Sequence, residues 1–121
     1  MTSLRPGLPR ELLDLVVRAL GDWDRIGPAR ATDEVAWLLG YPDAADLVAG
    51  MRELADALVR EQPLASEDWR RVLGATELAL ASDVVGTGSE WTVIHGGTET
   101  EWFLRLRRLQ ALLGDALPAH D

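Results

Sequence analysis

An all-α fold is predicted by three features of the sequence. Apolar residues recur at spacings of three and four over long stretches. Residues that start helices stand ahead of those stretches, and Gly or Pro stands behind them. Only residues 84–102 set β-branched and aromatic residues among glycines. The expected architecture is a compact bundle of about five helices in a single domain over 1–121, with a glycine-bearing loop before the last helix.

The first helix is expected over 9–23, where Leu12, Leu13, Val16, Leu20 and Trp23 follow Pro9. Proline suits a first helical turn because its missing N–H would be unpaired there anyway. Gly27 and Pro28 break the pattern. Thr32 then caps a short helix over 33–39, Asp33 and Glu34 favour the positive end of its dipole, and Gly40 supplies a left-handed stop. From 43 to 61, Ala44, Leu47, Val48, Met51, Leu54, Ala55, Leu58 and Val59 form one apolar stripe, which Pro63 ends. Ser66, Glu67 and Asp68 open a fourth helix over 67–82, with Trp69, Val72, Leu73, Thr76 and Leu80 on a shared face. Thr98 and Glu101 have capping-box spacing for a last helix over 99–114, lined by Trp102, Leu106, Leu109 and Leu113. Trp23 and Trp37 lie near helix boundaries, where exposure is expected.

The stretch VVGTGSEWTVIHGGTETEW, residues 84–102, fails as a phosphate cradle. A dinucleotide fingerprint needs a glycine where Trp91 stands, and a P-loop needs a lysine the chain lacks. Asp83, Ser89 and His95 make a hydrolase triad on paper, without the nucleophile-elbow pattern around the serine. A small-molecule-binding or hydrolytic role for residues 83–97, with Trp91 as a pocket wall, is one alternative function. Gly86, Gly88, Gly96 and Gly97 are expected to supply unusual backbone angles, and WTVI to run extended. In a variant of this reading, DVV and EWTV pair as a short hairpin. Helical projection places Asp83 on the apolar arc of the fourth helix with Glu77 at its edge, and Arg105 beside the stripe of the last helix. Asp83, Glu77 and Arg105 are therefore expected to form a structural network, with Asp83 accepting loop N–H bonds or pairing with Arg105. His95 is expected to be a hydrogen-bonded loop residue whose loss costs little.

Charge narrows the function classes. Twelve cations, all Arg, face 20 acids for a net charge of -8, and there is no Lys, Asn or Cys. Without Cys there are no disulfides, thiolate metal sites or thiol nucleophile. A net acidic field repels phosphates and headgroups, which disfavours nucleic acid and membrane partners. The N-terminus lacks the apolar run of a signal peptide, and no stretch approaches the roughly 20 apolar residues of a membrane span, so a cytoplasmic location is expected. Asp22, Asp24, Gly27 and Asp33 fit positions of a calcium-loop count, but Ile26 occupies a ligand position and Arg30 adds positive charge. No metal or cofactor is expected.

Val35, Ala36, Leu39, Gly40, Tyr41 and Asp43, with Leu47 and Met51 further on, resemble the helix-turn-helix of AraC-type transcription regulators over 34–54. The resemblance implies a DNA-binding regulator, a second alternative function. The chain departs from that family at Asp46 and Ala49, where neutral or basic groups usually meet DNA. Residues 32–61 carry seven acids against Arg52 and Arg60, which opposes phosphate contact. The favoured expectation is a non-enzymatic interaction protein, immunity-like or antitoxin-like, that binds a basic protein through Asp46, Glu53 and Asp56.

Overall fold

The computed structural model describes residues 3–4, 8–24, 27, 29–82 and 85–116. The fold is all-α, as the sequence predicts. Its helices are α1 (Arg10–Asp22), α2 (Asp33–Leu38), α3 (Ala44–Val59), α4 (Ser66–Ala81), α5 (Trp91–His95) and α6 (Glu99–Ala116). A 3₁₀ turn, Gly88–Glu90, leads into α5. Two short strands absent from the sequence reading, β1 (Ser3–Leu4) and β2 (Leu64–Ala65), pair antiparallel with Ser3 opposite Ala65.

The caps act as their residue types require. The Thr32 hydroxyl accepts the Val35 N–H at 3.2 Å, the Asp43 carboxylate accepts the Asp46 N–H at 2.8 Å, and the Thr98 hydroxyl accepts the Glu101 N–H at 3.2 Å. Each satisfies a helix-start donor that has no partner within its helix. Gly40 ends α2 at φ +87°, which lets the Tyr41 N–H reach back to the Ala36 carbonyl at 2.8 Å.

α1 is the hub, packing against α3, α4 and α6. It buries Leu12, Leu15, Val16, Ala19 and Leu20, and meets Leu47, Met51, Leu54 and Leu58 of α3 within the same core as Val72, Ala75, Leu109 and Leu113. Fully burying each large aliphatic side chain contributes roughly 1.5–3 kcal/mol. Trp23, expected near the surface, is instead wholly buried, and its indole N–H donates to the Ala75 carbonyl at 2.9 Å. Burial is tolerable there because that polar tip is satisfied. Trp37 keeps the expected exposure at 76%.

The glycine-bearing connection departs from its expected form. WTVI is neither extended nor half of a hairpin; it forms α5. A helical turn puts Trp91 and His95, four residues apart, on one side, where both rings pack together with centroids 4.1 Å apart. Burying that pair outweighs the local strand preference of Thr, Val and Ile. Gly88, Gly96 and Gly97 do take positive φ, but Gly86 serves close approach: a Cβ there would lie 1.9 Å from the Leu78 carbonyl oxygen. The loop is laid directly on the last turn of α4, and Thr87 bonds the Ala79 carbonyl through both its N–H (2.8 Å) and its hydroxyl (2.7 Å). Gly86→Ala is therefore expected to destabilise the protein by about 1–3 kcal/mol. Gly21→Ala, whose added methyl meets nothing within 4 Å, should be neutral or gain up to about 1 kcal/mol. Urea denaturation midpoints of the two variants check this, and equal midpoints would remove the close-approach explanation.

Candidate functional site

A polar cluster of Asp22, His95, Arg18 and Asp14 joins α1 to α5. Asp22 closes the buried stripe of α1, one turn after Ala19, and its side chain is 6% exposed. The His95 Nε2 lies 3.0 and 3.1 Å from the two Asp22 carboxylate oxygens. Its Nδ1 lies 3.3 Å from Nη1 of Arg18, which also binds Asp14 at 3.0 Å. A guanidinium only donates, so Nδ1 is the acceptor and the ring proton sits on Nε2, donated to Asp22. Trp91 and Trp102 wall the array, meeting edge to face at 5.4 Å. Arg18 and Arg105 lie 5.8 and 4.6 Å from the Trp102 ring centre. The Trp102 indole N–H donates to the Gly96 carbonyl at 2.7 Å, fixing the turn before α6.

This arrangement spends the imidazole. A general base needs one ring nitrogen free to take a proton from a nucleophile. Here one nitrogen donates to Asp22 and the other receives Arg18, so the acid that His95 meets among the described residues is Asp22. Asp83 itself lies outside the described residues. Of its expected network, Glu77 accepts from the Gln110 amide at 2.7 Å and Arg105 stacks on Trp102. Where the sequence expectation fell on Asp83, the buried acid among the described residues is Asp22, a residue whose place in the sequence suits the calcium-loop count. Its i+7 spacing from Leu15 on the α1 stripe is the signal that finds it.

The other calcium-loop acids are also engaged elsewhere. Asp24 forms a two-point ion pair with Arg52 of α3, Nε to Oδ2 at 3.0 Å, and Asp33 accepts the Ala44 N–H at 2.9 Å. Among the described residues no three His, Asp or Glu side chains converge as a metal site.

Asp46, Glu53 and Asp56 are all exposed. On α3 they fall within an arc of about 80°, opposite the buried Leu47, Met51, Leu54 and Leu58. Beside that arc an open cleft of about 500 Å³ runs between α3 and the segment before α2, lined by Asp24, Ala29, Ala31, Ala44, Ala45, Val48, Ala49 and Arg52. A second cavity, beside Trp91 as expected for the loop, holds only about 80 Å³ between Ser89, Thr92, Trp102 and Phe103. That is well below the roughly 300–1,000 Å³ of most small-molecule sites. The helix, turn and helix of the regulator-like stretch are present as α2 and α3. A dimeric regulator would build its basic DNA surface from Arg70, Arg71, Arg107 and Arg108; of these, Arg71 donates to the Leu39 and Gly40 carbonyls at 3.1 and 3.2 Å and pairs with Asp68, and Arg108 pairs with Glu11 at 3.3 Å.

No protein-family model, curated protein or solved structure matches the chain. No helix among the described residues is long and apolar enough to cross a membrane.

Burial raises the Asp22 pKa above its ordinary 3.8, while the hydrogen bond from His95 and the charge of Arg18 oppose the rise. The folded state therefore binds the Asp22 proton more tightly than the unfolded chain. That contribution to stability is complete below pH 3.8 and is lost as pH rises through the folded value. Relative to Asp22→Asn, the native protein should lose stability from acid toward neutral pH; a difference independent of pH would contradict the burial. His95→Ala, expected from sequence to be nearly silent, should instead cost on the order of 3 kcal/mol at neutral pH, because it leaves a buried carboxylate without its donor.

Proposed function

We propose that this chain is a small, acidic, non-enzymatic interaction protein of the cytoplasm that binds a basic protein partner through the outer face of α3. The observation that carries this reading is the exposure of Asp46, Glu53 and Asp56 on one arc, directly away from the core. Arg60, four residues after Asp56, projects into the same arc and offsets one of the three acids, while Arg52, just outside it, is drawn to Asp24, so the face stays net negative. Such a field accelerates encounter with a positive surface and repels polyanions. Immunity proteins and antitoxins that neutralise basic nucleases share this physique: small, acidic and single-domain. Trp37 and Leu38 of α2, exposed at 76% and 69%, add apolar area of the kind that anchors interfaces.

The alternative use of these acids is solubility alone. Capture of partners from the native lysate at low and high salt separates the two, with Asp46→Arg/Glu53→Arg/Asp56→Arg beside the parent. The triple variant should keep its fold, since surface changes shift stability by about 0.5 kcal/mol each. A basic protein should be retained by the parent at low salt, released at high salt, and lost by the variant. A partner held equally by both proteins would defeat the electrostatic reading.

A further inference from the structure

Charge alone does not describe the α3 face. The aliphatic cleft borders it directly: Ala45 and Ala49 are exposed lining residues, and Asp46 lies between them in sequence, with Glu53 one turn beyond Ala49. In helical projection Ala49 falls inside the acidic arc and Ala45 at its edge. An apolar trough thus runs along a negative lip. Its two polar liners, Asp24 and Arg52, are joined in their own ion pair at one end of the trough. Among the described residues these are the cleft's polar side chains, and their pairing engages the groups by which a small-molecule site would orient its ligand.

We infer that the cleft between α3 and the segment before α2 receives the apolar side chains of a basic amphipathic helix from the protein partner, whose Lys or Arg residues meet Asp46 and Glu53. The inference rests on the proposed electrostatic docking face and deepens it. A helix laid in a groove offers apolar anchors three and four residues apart on one side and cations on its flanks. The chemistry of trough and lip matches that pattern. Among the described residues the aliphatic side chains of the walls are Ala and Val, which leaves room for a larger residue such as Leu to enter.

The test needs no native partner. Two labelled synthetic peptides of equal length and charge are compared by fluorescence anisotropy: one of Lys with Leu at helical spacing, the other with every Leu replaced by Ser. Each is titrated against the parent, against Asp46→Arg/Glu53→Arg/Asp56→Arg, and against Ala45→Gln/Ala49→Gln. The last variant fills the trough with neutral amides at positions where glutamine sustains a helix, and its fold is verified by circular dichroism. The Leu peptide should bind the parent at least tenfold more tightly than the Ser peptide. The double Gln variant should remove that advantage, and the charge reversal should abolish binding of both. Equal affinity of the two peptides for the parent, or a Leu-peptide affinity unchanged by Ala45→Gln/Ala49→Gln, overturns the trough and leaves the electrostatic face standing. Failure of both peptides to bind the parent overturns the face and the trough together.

Discussion

A carboxylate buried at the end of α1 sets the terms for half of this molecule. Asp22 cannot lie at 6% exposure without donors, because an unpaired charge in that position costs several kcal/mol. His95 supplies the nearest N–H, and to do so α5 must hold its ring over the end of α1. Trp91 then stacks on that ring, Trp102 closes against Trp91, and Gly96 and Gly97 turn the chain at positive φ so that α6 can start. His95 is therefore engaged in fastening a corner.

The opposite flank is organised by contrast. α1 separates the α5–α6 corner from α3, and α3 has few obligations beyond its buried stripe. Its outer acids meet solvent, and the Asp24–Arg52 pair ties the segment after α1 to α3 without covering them. The aliphatic cleft lies between α3 and the side chains of Asp24, Ala29 and Ala31. One end of α1 thus faces an aromatic network, and the helix's other neighbour presents an exposed acidic surface, the contrast on which the proposed docking face rests.

Local features were legible in the sequence because their physics is local. Thr32, Asp43 and Thr98 cap the helices that follow them, and the apolar stripes of α1, α3, α4 and α6 face the core. Exposure of Asp46, Glu53 and Asp56 followed from the same projection. The corner was not legible. Asp22 meets a partner 73 residues away, and nothing near either residue announces the other. Likewise WTVI has the composition of a strand, and only the packing of Trp91 and His95 makes it a helix. The cleft was hidden because its second wall, Ala29 and Ala31, belongs to a segment without periodicity.

Both nitrogens of His95 are committed, one to Asp22 and the other to Arg18, and the proposal that recognition lies on α3 rests on that commitment. Two-dimensional ¹⁵N NMR of the imidazole at neutral pH tests it directly, because the two ring nitrogens have distinct shifts in each tautomer. The expected result is a single Nε2–H tautomer, with Nδ1 unprotonated beneath Arg18 and Nε2–H donated to Asp22. An Nδ1–H tautomer, or the averaged shifts of an imidazole open to water, would contradict it and return the loop to the list of reactive sites.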